Sequence, residues 1–159
     1  MKKAIMRWLS SPRIFRHTIN LFTPYIGAGI KATYLSPDYR EIHVQMKLRW
    51  YNRNYVGTHF GGSIFAMTDP FYMLLFMNIL GPKYIVWDKG ADIDFVAPGK
   101  GTISVRFIIT DAMLDEVLAK TANGEKFEPT YEVHVIDEAG ELVASVQKRL
   151  YIRKHPRHR

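Results

Sequence analysis

The sequence predicts an α+β fold in which one curved antiparallel sheet wraps around a long apolar helix. Three observations carry this. Ile42, Val44, Met46, Leu48 and Trp50 alternate with Glu41, His43, Gln45, Lys47 and Arg49, the period of a strand with one buried and one wet face. Residues 64–80 are apolar nearly all round, yet they contain Asp69, Pro70 and Asn78 and fall short of the ~20 residues that span a bilayer, so they belong inside a core. Four further strand-like runs follow, at 84–97, 102–109, 131–136 and 142–152, with turns at Pro98-Gly99 and 137–140.

The other elements complete the pattern in chain order. Ser11-Pro12 opens a helix with an N-cap and a proline at its first position, and Pro24 stops it. Arg13, Arg16, His17 and Asn20 form one face of that helix and Phe15, Ile19 and Phe22 the other. It reads as a surface helix docked on the core, or as a basic amphipathic segment near a membrane or a phosphate-bearing ligand. Gly27-Ala28-Gly29 leads into an extended run at 30–35, and Ser36-Pro37-Asp38 is a turn. Residues 51–60 form a loop, Gly61-Gly62-Ser63 opens the buried helix, and Gly81-Pro82 follows its end near Leu80. A smaller helix at 111–123 closes on Gly124.

Composition bounds the function. The 159 residues, 47% of them apolar, suit one globular domain able to bury its own core. The absence of cysteine excludes a disulfide scaffold, a thiol nucleophile and any thiolate metal site, and fits the cytoplasm. The formal charge of +7 comes from the two ends. Lys2, Lys3, Arg7, Arg13 and Arg16 lie at one, and Arg153, Lys154, Arg157 and Arg159 at the other, with no acid among them. The body between is slightly acidic, so nucleic acid is not an expected partner. Arg7 interrupts the apolar start too early for a secretory signal. No His-x-x-x-His pair, phosphate loop or Gly-x-Ser-x-Gly elbow is present, and no bound metal or cofactor is expected.

The informative stretch runs from Asn54 through Gly57, His59, Gly61 and Gly62 to Asp69. Glycines at a helix start allow close approach to backbone N–H groups, a natural place for an oxygen that gains charge in acyl transfer. Asp69 lies eight residues after Gly61, about two turns on and on the same side of the helix. A carboxylate there is expected to be largely desolvated and so more basic. Asp69-Pro70 can equally be an N-cap on the Tyr72 N–H, or a kink in a continuous helix. Asp92 with Asp94, and Glu132 with His134, read as wet strand faces.

This stretch resembles the hotdog-fold thioesterases of the phenylacetic-acid-pathway type, in which a loop Asn, a His-Gly-Gly turn and a helix Asp recur. Asn54, Gly61, Gly62 and Asp69 fall on those positions, whereas Phe60 occupies the histidine's place and His59 stands one residue early. The whole chain resembles a thioesterase-like branch of the hotdog superfamily through Gly57–Ser63, Asp69-Pro-Phe-Tyr72, Val86-Trp-Asp-Lys89 and Val146–Ile152. The resemblance implies a hotdog core at 24–153, with an N-terminal amphipathic helix at 1–23 and a basic tail at 154–159. It implies a homodimer or tetramer acting on an acyl-CoA, with coenzyme A as part of the substrate. Asp69 would be base or nucleophile and the Gly61-Gly62 helix start the oxyanion site, with Asn54 and His59 in the catalytic set. Phe60, Ser63, Trp87, Asp88 and Arg53 would contact substrate, and the residue facing Asp69 would come from the partner's segment around Trp87–Asp88. The basic ends and Arg53 would meet the coenzyme A phosphates. Two other readings stay open: a non-catalytic acyl-CoA or lipid-binding protein, and a hydratase or dehydratase built on His59 and Asp69.

Overall fold

The computed structural model describes residues 11–156. A six-stranded antiparallel sheet curls around a helical layer, in the order β1-β2-β4-β5-β6-β3. The strands are β1 (Ile30–Leu35), β2 (Glu41–Lys47), β3 (Tyr84–Phe95), β4 (Thr102–Ile108), β5 (Thr130–Ile136) and β6 (Leu142–Lys154). The helices are α1 (Pro12–Asn20), α2 (Thr23–Ala28), α3 (Gly61–Ala66), α4 (Phe71–Leu80) and α5 (Asp111–Lys120). This is the hotdog architecture.

Alternation in the strands builds the core. Ile42, Val44 and Met46 from β2, Ile103, Val105 and Phe107 from β4, and Val146, Leu150 and Ile152 from β6 are all buried on one face of the sheet. Against them α4 lays an aromatic row. Phe71 and Tyr72 meet Phe107 with ring centroids 5.2 and 5.1 Å apart, and Phe76 stacks on Tyr131 at 5.7 Å. The run 61–83 is apolar enough to cross a membrane by length and composition, but it is the helical layer of this core. It is not one continuous helix, because residues 67–70 break it between α3 and α4.

Several elements differ from expectation, each for a local reason. Pro24 does not end the first helix. It lies in the first turn of α2, where its missing N–H costs nothing. Ser11 occupies the N-cap position of α1 without a side-chain capping bond. β2 stops at Lys47 because Asn52 folds the chain back: its side chain accepts from Arg49 N–H and donates to the carbonyls of Ala28 and Lys47. Trp50 therefore leaves the alternation and is 81% exposed. The expected tail begins late, since β6 runs to Lys154, and Arg153 and Lys154 donate to the carbonyls of Gly124 and Ala122 beyond α5. Residues 1–10 and 157–159, with their basic side chains, lie outside the described residues.

Phe107 is fully buried between the sheet and two rings of α4. Phe107→Ala should lower unfolding free energy by about 3–5 kcal/mol, as measured by urea denaturation.

Candidate active site

Residues 61–70 set the geometry. The turn after α3 tightens, with Thr68 N–H and Thr68 Oγ1 both donating to Phe65 O and Asp69 N–H donating to Ala66 O. Pro70 has no N–H to continue the helix, and it takes the N-cap position of α4 without a side-chain cap. Asp69 thus caps nothing. Its Oδ1 instead accepts from Lys148 Nζ on β6, at 3.0 Å. The carboxylate is not desolvated as expected. Its side chain is 51% exposed, because the residue sits in the helix break and not on a packed helical face.

Lys148 is the opposite case, with a side chain only 1% exposed. Its ammonium also lies 3.3 Å from Asp88 Oδ1 on β3. That second contact has ion-pair distance without hydrogen-bond alignment, and Asp88 Oδ1 is buried with no hydrogen-bond partner. Burial pushes the Asp88 carboxyl up to about 6, aided by the charge on Asp69 and opposed by Lys148. Asp88 faces inward by alternation with Val86, and a register shift follows between Asp88 and Gly90. Val86 and Asp88 share one face, then the bulge moves Ala91 and Ile93 onto it. Asp88 of the same chain thus shares the Lys148 ammonium with Asp69. The buried Tyr25 hydroxyl on α2 lies in the field of both carboxylates; desolvation first, then their charges, raise its pKa.

The loop residues form a second cluster. Asn54 organises the loop: its Oδ1 accepts from Val56 and Thr58 N–H, and its Nδ2 donates to Thr58 Oγ1 and His59 O. His59 is buried and its Nε2–H donates to Gly101 O at 3.1 Å, which leaves Nδ1 unprotonated and without a partner. Desolvation holds its pKa below 6.5 and so keeps it neutral. Asn54, Thr58, His59, Gly61, Phe95 and Gly99 line a groove of about 430 Å³. The first-turn amides of Gly61 and Gly62 have no acceptor within α3, while Ser63 and Ile64 N–H donate to Phe60 O. Both glycines lie close under aromatic rings. A Cβ on Gly61 would lie 3.0 Å from the Phe95 ring, and one on Gly62 would lie 2.4 Å from the Phe60 ring.

The structure therefore divides the expected site residues. Asn54, His59 and Gly61 gather in the groove, with Gly62, Ser63 and Phe60 at the same helix start and Arg53 exposed on the same loop. Asp69 and Asp88 gather at Lys148, and Trp87 lies exposed on β3 beside Asp88. Gly61 opens α3 while Asp69 lies in the break after it, eight residues on, so the two clusters sit at opposite ends of this segment. Asp69 also adjoins a nearly wholly apolar groove of about 310 Å³, walled by Phe15, Ile19, Phe22, Tyr25, Pro70 and Leu74. Among the described residues, no three His, Asp or Glu side chains are placed to hold a metal. Sequence reasoning missed Lys148, although a signal existed: it occupies the inward register between Val146 and Leu150.

The family follows from comparison. Residues 11–152 match the model of DUF4442, a domain of unknown function, and the chain belongs to that family. Among solved structures it is similar to PA5026 from Pseudomonas aeruginosa, a protein of unknown function described as a probable thioesterase. That match has a TM-score of 0.81 at 22% identity, over 90% of this chain and 95% of that one. It is also similar to thioesterase HI1161 from Haemophilus influenzae, with a TM-score of 0.65 at 11% identity over 91% of each chain. A protein of unknown function from Chlorobaculum tepidum matches with a TM-score of 0.73 at 13% identity, over 91% of this chain and 98% of that one. A search of curated proteins found no match. At these identities the likeness establishes the fold.

The two displaced titrations act on stability with opposite signs. His59 binds its proton more weakly folded than unfolded, so its contribution is intact above 6.5 and is lost as pH falls below that value. Asp88 binds its proton more strongly folded, so stability rises as pH falls from about 6 toward 3.8. Chemical denaturation across this range should show less acid loss in His59→Gln and less acid gain in Asp88→Asn than in the parent.

Proposed function

We propose that this protein hydrolyses an acyl thioester of coenzyme A, with Asp69 as base or nucleophile. The observation that carries the reading is Asp69 itself: a carboxylate held by a buried ammonium, half open to solvent, and next in the chain to Pro70, which lines an apolar groove. The groove suits an acyl chain, and a carbonyl at its Pro70 end would lie beside Asp69. As base, Asp69 takes a proton from water, the water oxygen adds to the thioester carbon, and collapse of the tetrahedral adduct expels the thiolate. As nucleophile, it displaces the thiolate directly and water then cleaves the resulting anhydride.

Because the glycines and Asp69 fall in different clusters, the Gly61 and Gly62 amides would serve as oxyanion site for the Asp69 of another protomer in a homodimer. Support for pairing comes from β3, a twelve-residue strand at the sheet edge with Trp87 and Phe95 exposed along it. Asn54 and His59 would then shape the loop that carries those amides, with Phe60 and Ser63 at its tip. Arg53 and the basic ends are the cations available to the coenzyme A phosphates. The cysteine-free chain fits work in the cytoplasm. One observation favours binding without turnover: His59 is buried and neutral, and so contributes no charge to a bound carbonyl.

A panel of acyl-CoAs assayed for free thiol decides between hydrolysis and binding. Asp69→Asn should lower turnover by about 10²–10⁴. The variant should stay folded, because the Asn carbonyl still accepts from Lys148 and Asp88 remains to offset the buried ammonium, as a urea melt would check. Full turnover in Asp69→Asn would remove the catalytic assignment. Light scattering should find a dimer or tetramer at micromolar concentration, and a stable monomer would rule out the shared site.

A further inference from the structure

The hydrolytic reading gives no task to Asp88 or Lys148, yet they are the most constrained charges in the described chain. Lys148 is 1% exposed and touches Asp69 and Asp88 at once. The near oxygens of the two carboxylates can therefore be no farther apart than those two contacts laid end to end. A buried ammonium needs one carboxylate to offset its desolvation. Here it has two, and neither arrangement is the one that serves stability alone. Asp69 stays half open to solvent, and Asp88 has a buried oxygen without a hydrogen bond. With both acids ionised, the trio carries one negative charge in excess.

We propose that Lys148 and Asp88 are positioning residues for Asp69: the ammonium fixes the aim of its carboxylate, and the charge on Asp88 sets how much of that ammonium Asp69 keeps. With Asp88 neutral, Lys148 pairs with Asp69 alone and opposes its taking a proton. With Asp88 ionised, the ammonium is shared and a negative charge is added nearby, so Asp69 accepts a proton more readily. No bond to substrate is made by either residue.

The surroundings of Asp88 allow this role. Lys148 faces it from β6 and Asp69 from the helix break, while the Tyr25 hydroxyl on α2 stays neutral. Lys89 and Glu128 line the surface hollow that Asp88 also borders, and they pair with each other. Burial places the Asp88 titration at about 6, so the switch would operate just below neutrality. The catalytic consequence rests on the hydrolytic reading of Asp69; the coupling between the two carboxylates does not.

The experiment follows the side-chain carboxyl ¹³C resonances of Asp69 and Asp88 against pH in the full chain, with kcat/KM on acyl-CoAs measured in parallel. In the parent, the Asp69 resonance should show a step near pH 6 that is missing in Asp88→Asn. Lys148→Met should move the Asp88 step upward by about one pH unit or more, and Lys148→Arg should restore it. The parent kcat/KM should rise through that pH, and Asp88→Asn should lose the rise, remaining about three- to tenfold lower above neutrality with KM unchanged. An Asp69 resonance that titrates identically in the parent and Asp88→Asn overturns the proposal. So does an Asp88→Asn enzyme that keeps the rise. If Lys148→Met does not fold, Asp88→Asn decides alone, since it preserves size and leaves Lys148 its Asp69 partner. Coupled resonances without turnover of any acyl-CoA would sink the hydrolase reading and leave the coupling standing; turnover with uncoupled resonances would do the reverse.

Discussion

A single buried ammonium ties the helical layer of this molecule to the edge of its sheet. Taking Lys148 out of water costs several kcal/mol unless a carboxylate meets it. Its two acids come from distant parts of the chain, Asp69 from the break in the helical layer and Asp88 from the edge strand beside β6. The contacts therefore constrain two junctions at once. The layer must open at residues 67–70 to lower a carboxylate toward β6, and β3 must carry its bulge just after Asp88 so that Ala91 and Ile93 share the face that Asp88 occupies. Pro70 and the bulge are local irregularities whose shared consequence is a closed charge triangle.

The fold was legible wherever one face of an element is dry. β2 through Lys47, β4, β5 and β6 follow from alternation, and the aromatic run of α4 follows from its even hydrophobicity. Legibility failed where a side chain overrode the local pattern. Asn52 bends the chain before Trp50 can join the core, and Pro24 starts a helix after the preceding one has already ended. Both depend on partners remote in the sequence or on the neighbouring turn, which periodicity does not report.

The site was legible in its residues but not in its grouping. Asp69, Asp88, Asn54, His59 and the two glycines could all be picked out, yet their division into two clusters is set by sheet order and by the length of the helical layer. The expectation of a dry Asp69 failed because it assumed a continuous packed helix. Lys148 was readable in principle, since a lysine in the inward register of an apolar strand must have a counter-charge. What the alternation could not supply was the identity of that counter-charge, which lies 79 residues away.

Steric packing around the glycines extends the argument to assembly. Phe60 and Phe95 cover Gly62 and Gly61 closely enough that a Cβ at either would displace a ring, so the start of α3 is shaped around aromatic rings that remain half exposed. Exposed rings over amides that lack an acceptor form a surface that is unfinished within one chain. A second unfinished surface is the outer side of β3, with free backbone groups along its twelve residues and Phe95 at its end. Phe95 belongs to both. A strand pairing that satisfies the edge of β3 therefore also buries the ring that covers Gly61, and the same contact that completes the sheet would close the groove against which a carbonyl oxygen could rest.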